Sequence, residues 1–137
     1  MMSKEKTYDN ENDVKAEIKK ILTRHKWHHW MPGASAFGLR TVDHMALRDG
    51  IFMAIEAKHT KTSRGANANQ KRFLKDAADN GGFAFLVNEH NIDQFDKWMD
   101  AFERGARAVA ANGKPPMEDT EIMFNAMKAL TEGYLVA

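Results

Sequence analysis

The chain has 137 residues, of which 43% are apolar and 28% charged, with a formal net charge of +1 and no cysteine. That length suits one domain whose core can stand without covalent or metal staples, and the balance of apolar and charged residues excludes wholesale disorder. Without thiols there is neither a disulfide framework nor a thiolate zinc site, so any metal would be held by oxygen or imidazole, which favours hard cations. No window is apolar enough for a membrane span and the polar N-terminal residues contain no signal-peptide core, so a cytoplasmic protein is expected.

Residues 1–12 are polar. Beyond them Val14, Ile18, Ile21 and Leu22 recur at helical spacing behind Asn12 or Asp13 as a cap, which predicts a first helix ending near His25. Residues 28–40 include Pro32, Gly33 and Gly38 and read as a loop with one short extended piece. Two short apolar runs follow, 42–47 and 51–57, and the Asp49-Gly50 between them is a strong hairpin signal. Residues 61–67 form a polar, basic loop. Gln70, Phe73, Leu74, Ala77 and Ala78 then mark a second helix that Gly81 ends, and 83–87 is a continuous apolar run of strand length.

Ile92, Phe95, Met99, Phe102, Ala106 and Val109 make one stripe on a third helix that runs to Asn112-Gly113, ahead of Pro115-Pro116. A fourth helix is expected from about Thr120 to Leu130. The fold class that follows is α/β: a small central mixed sheet of three to five strands flanked by the first two helices, with two extra C-terminal helices as an appended layer. All of it forms one domain, with a core over about 13–92 and a helical extension over about 92–137.

The chemistry concentrates on the hairpin. If Asp49-Gly50 is a two-residue turn, Arg48 pairs with Ile51 and Asp43 lands opposite Glu56; Lys58, two residues beyond Glu56, projects on the same face. Carboxylates so opposed have Cβ atoms roughly 5 Å apart, and like charges facing each other destabilise a sheet. Either the pair is fully solvated or a divalent cation lies between the acids, and strands this apolar favour the cation. Two carboxylates with a backbone carbonyl and waters suit Mg²⁺, which would polarise a phosphoryl oxygen and activate a bound water. Lys58 would orient or deprotonate that water, or stabilise charge developing on phosphorus; its bland alternative is a plain cross-strand salt bridge.

Asp43, then Ile55-Glu56-Ala57-Lys58 on the next strand, then Gln70 opening a helix, resembles the PD-(D/E)XK nuclease superfamily, and within it the VRR-NUC group. The likeness covers roughly residues 13–92. Val42 stands where the group usually has Pro, and Arg40-Thr41 where a Gly is usual, so the departures touch the incoming loop and no ligand. The resemblance implies a restriction-endonuclease-like core, with Asp43, Glu56 and the Ala57 carbonyl as ligands for Mg²⁺ (or Mn²⁺), Lys58 positioning the nucleophile, and Gln70 holding Lys58 or a phosphate. It also implies a glutamate from the first helix, for which Glu17 is the candidate.

The resemblance further implies DNA as the substrate, cut by a metal-dependent endonuclease selective for branched or Holliday-junction structures; a symmetric resolvase needs a homodimer, with the third helix as candidate interface. The alternatives are a restriction-like or DNA-processing nuclease on linear DNA and a DNA-binding or protein-binding module on the same fold without catalysis. Lys61, Arg64, Lys71, Arg72 and Lys75, following Lys58 with few acids among them, form a phosphate-contacting strip that Arg40 extends. Of the six histidines, His25, His28 and His29 lack a metal-ligand spacing and an acidic neighbour in sequence, so packing, or a surface role beside Trp27 or Trp30, is expected of them. His44 should face away from Asp43, and His59 is a weaker candidate for touching substrate.

Overall fold

The computed structural model describes residues 7–32 and 42–112, the last nine of them as helix backbone. Arg40 and the fourth helix expected over 120–130 lie outside the described residues. Among these residues three helices and four strands follow in the order α1 (Glu11–Arg24), β1 (His28–Trp30), β2 (His44–Arg48), β3 (Ile51–Ala57), α2 (Ala68–Asp79), β4 (Phe83–Val87) and α3 (Ile92–Asn112). None of the described helices is long and apolar enough to cross a membrane.

α1 begins earlier than the periodicity predicts. Asn10, with extended backbone, accepts the Asp13 amide through its side chain, so Asn10 rather than Asn12 or Asp13 is the cap. Asp13 instead sits in the first turn, where its negative charge is favoured by the helix N-terminus and where it accepts the Asp9 amide. This shift brings Glu11 into the helix.

The hairpin turn has both central residues at positive φ, Asp49 at 51° and Gly50 at 80°, the backbone that a tight two-residue reversal demands. Its register is the one expected: Arg48 pairs with Ile51 and His44 with Ile55, which carries Asp43 to the place opposite Glu56. α2 is capped reciprocally, the Asn67 side chain accepting the Gln70 amide while the Gln70 side chain accepts the Asn67 amide. The helix crosses back so that β4 lies parallel to β3, giving a mixed four-stranded sheet in the order β1-β2-β3-β4.

Strand alternation sorts the sheet into two unlike faces. Ala46, Met53, Ile55, Ala57, Phe83, Phe85 and Val87 point into the main core, which α1 and α3 complete with Val14, Ile18, Ile21, Leu22, Phe95, Trp98, Met99 and Phe102. The α3 stripe expected to face a second copy is therefore buried in the chain's own core through Phe102, where Trp98 meets Phe83, Phe85 and Phe102 ring to ring. The opposite face carries a smaller cluster of Val42, Ala54, Leu74 and Ala84 under α2, which packs on β3 and β4. Gly82 lets this packing close: a Cβ there would stand 3.0 Å from the Ala77 carbonyl and 3.1 Å from that of Phe52.

Candidate metal centre

Where β2 begins and β3 ends, three acids converge. Glu11, Asp43 and Glu56 each offer a carboxylate oxygen within 4.8 Å of the others. Asp43 and Glu56 are locked together through the backbone: the Asp43 amide donates to Glu56 Oε2 at 3.0 Å, and the Ala57 amide donates to Asp43 Oδ2 at 2.9 Å. In an extended strand a residue's N–H and C=O share one edge, so the Ala57 carbonyl lies on the Asp43 side as well.

Lys58 stands on the same face, its Nζ 3.2 Å from Glu56 Oε1 and 3.4 Å from Glu11 Oε1. Gln70 donates from Nε2 to Glu56 Oε1 at 2.7 Å. The resemblance assigns Gln70 to Lys58 or a phosphate; the structure gives it to Glu56, because the capping box fixes the amide oxygen on Asn67 and aims the nitrogen inward. Lys15 joins from α1, 3.4 Å from Asp43 Oδ1.

Glu56 is the group under most electrostatic load. It is 1% exposed, and burial, followed by the charge of Asp43, pushes its carboxyl up to about 8 against the pull of Lys58. Burial would lower the Lys58 ammonium, but Glu56 and Glu11 outweigh it and raise its pKa, so Lys58 stays charged. Three carboxyl groups thus face two ammonium groups, Lys15 and Lys58, and the deepest acid holds its proton more tightly than an ordinary glutamate. A donor set of carboxylate oxygens, with a buried acid whose proton a cation could replace, fits a hard divalent ion.

Glu17, the helix glutamate expected here, is elsewhere. It is buried, and it lines a hollow of about 270 Å³ with Tyr8, Asp13 and Lys20. At 100° per residue it points away from Lys15, the residue that reaches Asp43, whereas Glu11 lies one turn before Lys15 on the same side. Glu11 and Lys15 are the residues that sequence reasoning misses; the only local sign was the acid one residue after a good cap.

The histidines divide. His44 shares the core face with Ala46, opposite Asp43 as expected, and burial lowers it to about 4. His59 does not face the open site: its Nε2 lies 2.9 Å from the Tyr8 carbonyl and 2.7 Å from Glu89 Oε2, which pins the segment before Glu11 against the residue after Lys58. His25 has the acidic partners its sequence neighbourhood lacks, all from α3: Asp96 at 2.9 Å, Glu103 at 3.4 Å and Asp100 at 3.7 Å. Arg24 joins Asp96 at 2.6 Å, and Arg48 reaches Glu103 and donates to the His25 carbonyl.

Of the basic strip, Lys61 and Arg64 are exposed in the loop after β3, and Lys71 and Arg72 are exposed beside Gln70 at the start of α2. Lys75 is exposed further along and pairs with Asp79 at 2.7 Å. No protein-family model matches the chain, and no curated protein matches it either.

Proposed function

We propose that this chain is a Mg²⁺-dependent phosphodiesterase that hydrolyses DNA, selective for branched substrates and working as a homodimer. One observation carries the reading: a fully buried glutamate, Glu56, shares a 4.8 Å cluster of carboxylate oxygens with Asp43 and Glu11, and the Lys58 ammonium lies 3.2 Å from it. Such an arrangement is costly for a fold to keep without a use, since burial and the neighbouring Asp43 both oppose ionisation of Glu56. The order of elements supports a restriction-endonuclease-like core. A helix precedes three antiparallel strands, and a crossover helix returns a fourth strand parallel to the third, with the acids at the C-terminal ends of that parallel pair.

Asp43, Glu56 and Glu11, with the Ala57 carbonyl, would hold the ion; Mn²⁺ offers the same coordination. When bound, the cation supplies Lewis-acid polarisation of a phosphoryl oxygen and a water of lowered pKa. Lys58, kept protonated by its acidic neighbours, serves as a donor that orients the attacking water and offsets charge gathering on the phosphate, rather than as a base. Gln70 positions Glu56, and Lys71 and Arg72 on the same helix end flank the site where a DNA backbone would pass.

The test is cleavage of a four-way junction, a flap, a single strand and a linear duplex by the pure protein in Mg²⁺, Mn²⁺ or EDTA. Metal-dependent cutting that prefers branched DNA and is lost in Glu56→Ala is expected. Tight binding with no cleavage in either metal would refute the reading.

A further inference from the structure

α2 packs on the β3–β4 half of its sheet face, and among the described residues no helix packs on the same face of the β1–β2 half. His29 turns towards α1, where it meets Thr23, so His28 and Trp30 project on the α2 face beside their partners Leu47 and Met45. Trp30 is 40% exposed and Leu47 42%, and the His28 ring leans on the Trp30 ring at 5.5 Å. Met45 anchors the inner edge of this shelf in the α2 cluster. Asp43 stands one residue before β2, two from Met45 and about 7 Å from it along the chain. An aromatic platform therefore lies one strand over from the acid cluster, with no acid of its own.

The geometry points to this shelf as a stacking platform for an unpaired nucleobase, with Trp30 receiving the base of a nucleotide next to the phosphate that the acid cluster handles. The proposal rests on the hydrolytic reading above and adds its substrate class: DNA with a single-stranded nucleotide at the cut. Stacking on an exposed indole is tolerant of base identity and needs only a flat, fixed ring, which strand pairing and His28 provide. Lys15 and Lys58 at the inner end offer ammonium groups to a phosphate, and a bound cation would offset the three acids beside them, so the surface runs from apolar to charged as a nucleotide does from base to backbone. A second copy is the weaker occupant. Trp30, Met31 and Leu47 are the exposed large hydrophobic side chains among the described residues, and three side chains fall far short of the ~800 Å² per partner of a stable interface.

The intact chain in EDTA, where hydrolysis cannot occur, is titrated with a short oligothymidylate and with an abasic chain of equal length. Trp27 and Trp98 are buried, so quenching of tryptophan emission reports on Trp30. The oligothymidylate is expected to quench and to bind more tightly than the abasic chain. Trp30→Ala should weaken oligothymidylate binding roughly tenfold and leave abasic binding alone, Trp30→Phe should keep most of the preference, and Leu47→Glu should weaken it; unchanged melting temperatures show that these variants fold. Equal affinity for the two chains, no binding of either, no effect of Trp30→Ala, or a concentration-dependent dimer that Trp30→Ala dissolves would each overturn the proposal. The two readings fail separately: base-dependent binding without cleavage in Mg²⁺ or Mn²⁺ removes the hydrolysis and keeps the shelf, whereas cleavage without base preference does the reverse.

Discussion

The acids where β2 meets β3 and those between α1 and α3 are alike in number: Glu11, Asp43 and Glu56 in one group, Asp96, Asp100 and Glu103 in the other. Their surroundings differ. The α3 group meets Arg24, Arg48 and His25, and although burial would raise Asp96, its hydrogen bonds to His25 and Arg24 hold it below the usual carboxylate range. The cations that the hairpin group meets are lysines, Lys15 and Lys58, and its central acid is pushed up to about 8. Guanidinium forks satisfy carboxylates in fixed geometry and leave little for an ion to gain; ammonium groups on long stems can yield to one. Two groups with equal numbers of acids thus differ in how well their own cations satisfy them, and that difference is why the cation is proposed for the hairpin group.

Catalysis gives that contrast its hardest test. Glu56→Ala and Lys58→Ala should each cut DNA cleavage by about 10³-fold, while Asp100→Ala on α3 should leave it within about twofold; equal losses at both groups would break the distinction. Calorimetric titration with Mn²⁺ comes next. Binding should vanish in Glu56→Ala, weaken by about 10- to 100-fold in Gln70→Ala, which loosens Glu56 without removing a ligand, and persist in Asp100→Ala.

Stability should show the opposite order. His25→Ala strips three carboxylates of a shared partner at a nearly buried position and should cost about 2 kcal/mol by urea unfolding, with the partial exposure of Asp96 and Asp100 limiting the loss. Glu11→Ala, on a half-buried acid, should cost less.

The most diagnostic effect is on pH dependence without metal. Glu56 has its folded value near 8, above the ordinary 4.5, so the folded state binds its proton more tightly. The stability this lends is complete below about 4.5 and is lost as pH rises towards 8, by at most about 1.4 kcal/mol per pH unit. Asp96, depressed on folding, works the other way, lending stability above its ordinary value of 3.8 and losing it as pH falls through its lower folded value. Urea midpoints from pH 5 to 8 should therefore fall in the wild type and flatten in Glu56→Gln. A fall of equal slope in both would detach the pH dependence from this acid.

Much of the hairpin site was legible because its cause is local. Asp49-Gly50 admits one tight turn, the turn sets the register, and the register sets Asp43 against Glu56, with Lys58 on the same face. Gln70 was legible as a site residue but not in its partner, which depends on Asn67 turning the amide. Glu11 was not legible, because its arrival depends on a cap two residues earlier than the apolar stripe implies and on where α1 lies across the sheet. The partners of His25 come from 71 to 78 residues away, and no short-range pattern announces them. The fate of the α3 stripe was open for a related reason: periodicity shows that a face is apolar, and only packing shows what covers it.

The parallel pairing of β4 with β3 has a consequence for the order in which the chain acquires its properties. During synthesis the β2–β3 hairpin emerges before α2 and β4 exist, so its two opposed acids stand in water, where Glu56 titrates as any glutamate would. Only after the crossover helix is made and the last strand has docked does that side chain lose its solvent and its ease of ionisation. The raised Glu56 carboxyl is thus a property of the completed sheet and not of the hairpin that carries it.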